Sequence, residues 1–261
     1  LGKKWKPLAI FFSACAMIGA LPVFNVNQLT QAVNDILLKP NGVEVTNYTN
    51  LGIGVILVII TSIVVLGGLK RIGKVTARLV PSMVLLYFIL VVIILIVNIE
   101  VVPKYFMMIF TDAFSADFIN EESFFGGVVG ALIILGIKRG AFSNEAGVGT
   151  APMAHGAAKT DEPVREGLVA MLGPFIDTII VCTLTALAIL VTEVWQTTDT
   201  NGVTLTATAF GNAMPGIGKY LLMVCVAIFS ISSLFSYSYY GTKSLSFLVG
   251  AKYKHVYNYL F

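Results

Sequence analysis

The chain has 261 residues, of which 57% are hydrophobic and 12% charged, and its mean hydropathy is +0.87. A soluble domain carries about 25% charged residues, so water is not the solvent of this fold, and nothing in the composition implies a nucleic-acid partner. The net charge of +3 is small, and its meaning lies in where the charges fall.

In chain order the hydropathy pattern predicts six membrane spans: 7–24, 51–69, 79–99, a broken one over 123–158, 166–195 and 218–249. The uninterrupted apolar runs 51–69 and 79–99 are about as long as the roughly 20 residues a helix needs to cross a bilayer core. At the outward end of the first span lie Asn25, Asn27, Gln28, Thr30 and Gln31. Capping and headgroup contact account for such a cluster, but helical spacing puts Asn25 and Gln28 on one face, which also lets Gln28 point into a cavity. The segment 101–122 mixes Tyr105, Phe106, Phe110, Phe114 and Phe118 with acids and Pro103. It reads either as an amphipathic element lying along the interface or as an ordinary loop.

The broken span is the informative one. After only about a dozen apolar residues, too few to cross a bilayer, the stretch 136–152 presents Lys138, Arg139, Ser143, Asn144 and Glu145 among glycines. Charges at such depth cost at least about 2.5–3.5 kcal/mol each and persist where they meet a polar cavity or a partner. Arg139 and Glu145 are candidates for each other's partner. Gly140, Gly147 and Gly149 let the backbone leave helical geometry. A break then frees amides that suit a carboxylate and carbonyls that suit a cation or an ammonium, and an amino-acid zwitterion needs both. The alternative is a re-entrant hairpin or an interfacial loop that only connects spans.

In the fifth span Asp177 lies between Pro174 and Thr178. An ionisable group at that depth handles protons or cations, or it caps a helix kinked at the proline. The sixth span contains Ser230, Ser232, Ser233, Ser236 and Ser238, which either line a cation path or join helices as small polar residues do in membranes.

Twelve of the seventeen basic residues, from Lys3, Lys4 and Lys6 through Lys70, Arg71, Lys74, Arg78, Lys159 and Arg165 to Lys243, Lys252 and Lys254, fall in one set of alternate loops. The positive-inside rule makes that set cytoplasmic, so the first span runs outward. Cys15, Cys182 and Cys225 stand singly in apolar stretches, with neither disulfide nor metal-site spacing. No phosphate loop, zinc-protease motif or nucleophile elbow is present, so the chain is not read as an enzyme and needs no organic cofactor.

The run KRGAFSNEAGVGTAP at 138–152, followed by AAKTDEP at 157–163, GLVAMLG at 167–173 and FIDT at 175–178, resembles the signature region of the alanine/glycine:cation (sodium) symporter family. The resemblance extends from GKKW at 2–5 through GLKRI at 68–72 to SYYG at 238–241. It implies an all-α polytopic transmembrane bundle of the LeuT type, built from inverted repeats. The present spans correspond to the family's third to eighth helices. The chain is then a single transmembrane domain over 1–261, truncated at both ends and unable to transport alone, because the family's other broken helix is missing.

The implied activity is sodium-coupled symport of a small amino acid, alanine or glycine, by alternating access in the cytoplasmic membrane of a prokaryote. Lipid, the amino acid and Na⁺ are the implied partners. Carried over residue by residue, Phe142, Ser143, Asn144, Gly147 and Gln28 lie next to the substrate, and Ser232 and Ser233 help hold sodium; Arg139, Glu145 and Asp177, read from their own charge and depth and not from the resemblance, are candidates for an intramembrane charge network. Phe24, where the family has a small glycine, the Thr30-Gln31 pair in place of Asn-Ser, and Thr150 in place of serine bear on pocket size and substrate choice. Two readings from other classes remain: an ion channel with a re-entrant glycine-rich loop, and a structural membrane subunit whose broken helix only packs.

Overall fold

The structure, a computed structural model, describes residues 3–114, 128–253 and 256–261. The start of the expected broken span, the acids and aromatics of 115–122, and Lys254 and His255 lie outside the described residues. Every regular element among the described residues is helical.

In chain order these are α1 (Lys6–Gly19), α2 (Val23–Val33), α3 (Asn47–Val65), α4 (Leu69–Val97), α5 (Val102–Ala113), α6 (Val128–Phe142), α7 (Glu145–Val148), α8 (Ala151–His155), α9 (Pro163–Pro174), α10 (Cys182–Val191), α11 (Val194–Thr197), α12 (Val203–Ala213), α13 (Gly218–Val249) and α14 (Val256–Leu260). Two π-helical segments, Asn34–Leu38 after α2 and Phe175–Val181 between α9 and α10, keep the chain helical where the ladder widens. Five stretches are long and apolar enough to cross a membrane: Lys6–Asn41, Asn47–Val65, Lys70–Val97, Pro163–Val191 and Gly218–Val249.

Four of the six expected spans are therefore found, the one expected at 79–99 starting nine residues earlier, at Lys70, and the last matching to the residue. The first is longer than expected. The helical run goes on past the expected end at Phe24 through 25–41, where its polar groups are paired along the chain. Lys39 bridges to Asp35 one turn back at 2.6 Å, and Asn34 Nδ2 donates to Asn50 Oδ1 on α3 at 2.9 Å. The broken span is absent from the five because its described part is the three short helices α6, α7 and α8. The segment after Pro103 resolves in favour of a helix, α5, over 102–113. A helix over 203–213 was not foreseen, since its Val- and Thr-rich sequence has a weak helical preference.

The described residues divide into two compact units, Leu1–Ile89 with Thr200–Phe261, and Leu90–Asp199. In the first, α1, α2, α3 and α12 pack on α13. Val64, Val65, Ile72 and Phe235 form a buried cluster there, and Tyr87 stacks on Phe210 with ring centroids 5.9 Å apart. Small residues make the close approaches to α13: a Cβ on Gly218 would stand 2.1 Å from the Phe210 carbonyl. Elsewhere the long helices leave large apolar side chains such as Leu51, Ile59, Ile96 and Phe229 uncovered, as helices solvated by lipid do.

In the second unit α5 packs on α10. The buried Tyr105 hydroxyl donates to the Glu193 carboxylate. Glu193 starts α11 in the left-handed region, at φ +55°, a conformation costly for a residue with a Cβ. That hydrogen bond holds the Tyr105 phenol above its ordinary range, with loss of hydration adding to the effect.

Candidate functional site

The break in the second unit is built around Asn144. α6 runs on past Gly140 to Phe142, then Ser143 and Asn144 leave helical geometry, with Asn144 extended at φ −145°, ψ 167°. Asn144 is the N-cap of α7. Its Oδ1 accepts from the amides of Ala146 at 3.0 Å and Gly147 at 3.1 Å, satisfying donors that a helix start otherwise leaves unpaired. The expectation of free amides after the break is thus corrected at these two positions, because the Asn144 side chain already occupies them.

The other end of the same amide reaches out of the broken span. Asn144 Nδ2 donates to Thr178 Oγ1 at 2.7 Å, and the Ser143 and Thr178 hydroxyls lie 2.8 Å apart. Ser143 Oγ also donates to the Gly140 carbonyl at 2.9 Å. Thr178 sits in the π-helical segment that begins just after Pro174. A proline has no N–H for the carbonyl four residues back, so the ladder is already interrupted there, and π-type insertions are frequent at functional sites. Two irregular backbones are thereby tied together through three polar side chains.

Of the three glycines expected to open the backbone, only Gly149 is left-handed, at φ +90°, and it ends α7. Gly140 stays inside α6. Gly147 serves a close approach instead: a Cβ there would stand 2.0 Å from the Ala141 carbonyl oxygen, where the chain folds back on itself.

The three members of the expected charge network stand apart as ion-pair partners among the described residues. Glu145 takes its partner locally, its carboxylate accepting from the buried Thr150 hydroxyl at 2.7 Å. Arg139 is exposed on α6, and among the described residues it is in no ion pair with Glu145 or Asp177. Thr150 supplies the hydroxyl this contact needs. Phe142 is 69% exposed at the end of α6. Below α7, His155 Nδ1 and Glu166 Oε1 lie 2.7 Å apart and join α8 to α9.

The remaining expected positions belong to the first unit. Gln28 is partly buried on α2, with its Oε1 near Gly202, a left-handed glycine at φ +63° before α12. On α13, Ser232 is buried and donates to the Phe229 carbonyl of its own helix at 2.9 Å. That bond uses the hydroxyl proton and leaves the oxygen lone pairs free, which is what a cation ligand requires. Ser238 bonds Phe235 in the same way at 2.8 Å. Both hydroxyls thus donate within α13.

Thr178 was not foreseen as a site residue. The tetrad FIDT marks its neighbourhood, but no spacing rule joins it to a residue 34 positions earlier.

The profile described as the sodium:alanine symporter family matches residues 1–261. The chain belongs to this family of secondary transporters. It is 39% identical over 244 residues to the sodium/alanine symporter AgcS of Methanococcus maripaludis, covering 92% of this chain and 51% of that protein. It is 31% identical over 252 residues to the amino-acid carrier protein AlsT of Bacillus subtilis, covering 97% and 51%. It is equally similar to the probable sodium/glutamine symporter GlnT of Bacillus subtilis, at 31% over 252 residues, covering 97% and 50%. The chain spans about half the length of these relatives. Family membership and the apolar helices make it part of a multi-pass protein of the cell membrane.

Proposed function

We propose that the protein containing this chain carries a small amino acid, alanine first, across the membrane together with Na⁺, and that its architecture is of the LeuT type. The observation that carries the reading is the break at Ser143–Asn144, where one side chain caps the helix on one side and reaches Thr178 on the other. A helix interrupted in an apolar segment is tolerated around a cavity, and discontinuous helices are where such transporters hold substrate and ion.

In this reading Ser143, Asn144 and Gly147 lie next to the amino acid and meet its polar ends, and Phe142 limits its side-chain volume. Gln28 is a substrate-facing amide, and Ser232 and Ser233 ligate sodium. The relative named for sodium and alanine supports alanine over glutamine, and glycine fits the same volume argument. Coupling follows when bound cation favours the conformation that binds substrate.

The test is thermal stabilisation of the full-length protein in detergent by alanine, glycine and glutamine, in sodium and in choline salts. Alanine stabilises only with sodium on this account, and Asn144→Ala abolishes that shift. Stabilisation independent of sodium, or an Asn144→Ala variant that responds like wild type, would contradict it. A channel or a packing subunit predicts no amino-acid response at all.

A further inference from the structure

The first span contains a second helix break, and both its cause and its closure lie within the first unit. α1 stops at Gly19 and α2 starts at Val23, with Pro22 between them. Proline lacks the N–H that would continue the ladder. In an unbroken helix the Leu21 amide would bond the Met17 carbonyl four residues back, but here it bonds Ile18 at 3.1 Å, while the Ala20 amide bonds Ala16 at 2.9 Å. The Met17 carbonyl loses its backbone donor in a segment where water is scarce.

Tyr257 supplies the missing donor. Its hydroxyl reaches the Met17 carbonyl at 2.9 Å, and the residue is 4% exposed. The ring lies so close over Gly241 of α13 that a Cβ there would come within 1.9 Å of it. Thr242 Oγ1 donates to Asn258 Oδ1 at 2.7 Å, pinning α14 to α13. Packing alone would be met by a phenyl ring, yet the hydroxyl is aimed at the carbonyl that the break orphans. At its far end the same helical run is tied to α3 by Asn34–Asn50 and to α12 by Thr204 Oγ1 donating to Asp35 Oδ2 at 2.8 Å.

We propose that Tyr257 is a positioning residue whose hydroxyl latches the break in the first span and so fixes the direction of α2 and the placement of Gln28. The functional half of this statement rests on the reading of Gln28 as substrate-facing.

The test is Tyr257→Phe in the full-length protein, which keeps the ring and removes one hydroxyl. Amide exchange over residues 17–23 rises about five- to tenfold, as expected for the loss of one hydrogen bond, while exchange over α3 stays at the wild-type rate. In the same variant KM for sodium-driven alanine uptake rises several-fold with kcat within about twofold, the pattern of lost positioning of a substrate contact. Gly241→Ala, which displaces the ring, gives the same local exchange response, and a failure of that variant to fold leaves the Tyr257→Phe comparison intact.

Unchanged exchange over 17–23 would overturn the latch. A rise spread evenly over α3 and α13 would also overturn it, since the hydroxyl would then serve general stability. A local rise with unchanged KM would remove the link to Gln28. Absence of alanine uptake by wild type is a failure of the proposed function, and the exchange comparison then decides the latch alone.

Discussion

Replacing Thr178 by valine removes one hydroxyl, keeps the side-chain shape and tests whether the tie between the two irregular backbones matters. Thr178 Oγ1 accepts from Asn144 Nδ2 at 2.7 Å and pairs with Ser143 Oγ at 2.8 Å. Polar contacts between membrane helices average about 0.6 kcal/mol and reach about 1.7, so two of them contribute about 1–3 kcal/mol. Asn144 Nδ2 retains Ser143 Oγ at 3.2 Å, and its cap on α7 is untouched, which places the loss toward the lower half of that range. A coupling of about 1–3 kcal/mol corresponds to roughly 5–150-fold in an equilibrium constant, so about tenfold is expected in the KM for alanine. The assay is initial-rate uptake in proteoliposomes over a range of alanine concentrations, alongside amide exchange over 143–150. Thr178→Ser, which restores the hydroxyl, returns KM to within about twofold of wild type. A Thr178→Val variant with wild-type KM and wild-type exchange over the break would refute the reasoning.

Three further outcomes follow from the same geometry. Gly147→Ala puts a methyl 2.0 Å from the Ala141 carbonyl. Forced overpacking typically costs about 1–3 kcal/mol, read as a lowered unfolding midpoint, whereas substitution at the open Gly140 has little effect. Ser232→Ala and Ser233→Ala raise the sodium concentration for half-maximal uptake while leaving KM for alanine at saturating sodium nearly unchanged; equal sodium dependence in both variants would remove them as ligands. Tyr105→Phe lowers thermal stability near neutral pH through loss of the Glu193 contact. Because that contact raises the phenol's pKa, its stabilisation is complete below the ordinary phenol value of about 10 and fades as the pH rises through the folded-state value. The gap between wild type and Tyr105→Phe is therefore constant over about pH 6–9 and narrows only at strongly alkaline pH.

Much of the architecture was legible because lipid imposes a simple rule on sequence. The span 218–249 matched to the residue, since an apolar run flanked by glycines at 218 and 250 offers few alternatives. The break near 143 was visible from charge and glycine content, but its position was not, because it depends on an asparagine finding Thr178 in the next span. The first span was ended at Phe24, where the sequence turns polar, although the helical run goes on to Asn41. Its Asp35–Lys39 pair, spaced one turn apart, was the signal that the helix continues. The break at Pro22 was overlooked for a related reason: the proline was counted within an apolar run, and the carbonyl it orphans is satisfied by Tyr257, over 200 residues away. Pairwise contacts of that sequence separation have no local signature. Chemical identity was easier to read than geometry, since the motif at 138–152 carries the family while the side chains that hold it in place are scattered.

The most direct measurement is uptake of radiolabelled alanine into proteoliposomes containing the full-length protein, with and without an inward sodium gradient. Saturable uptake that collapses when choline replaces sodium is the result this account predicts. Uptake that ignores the sodium gradient, or no uptake of alanine under any cation gradient, would contradict it.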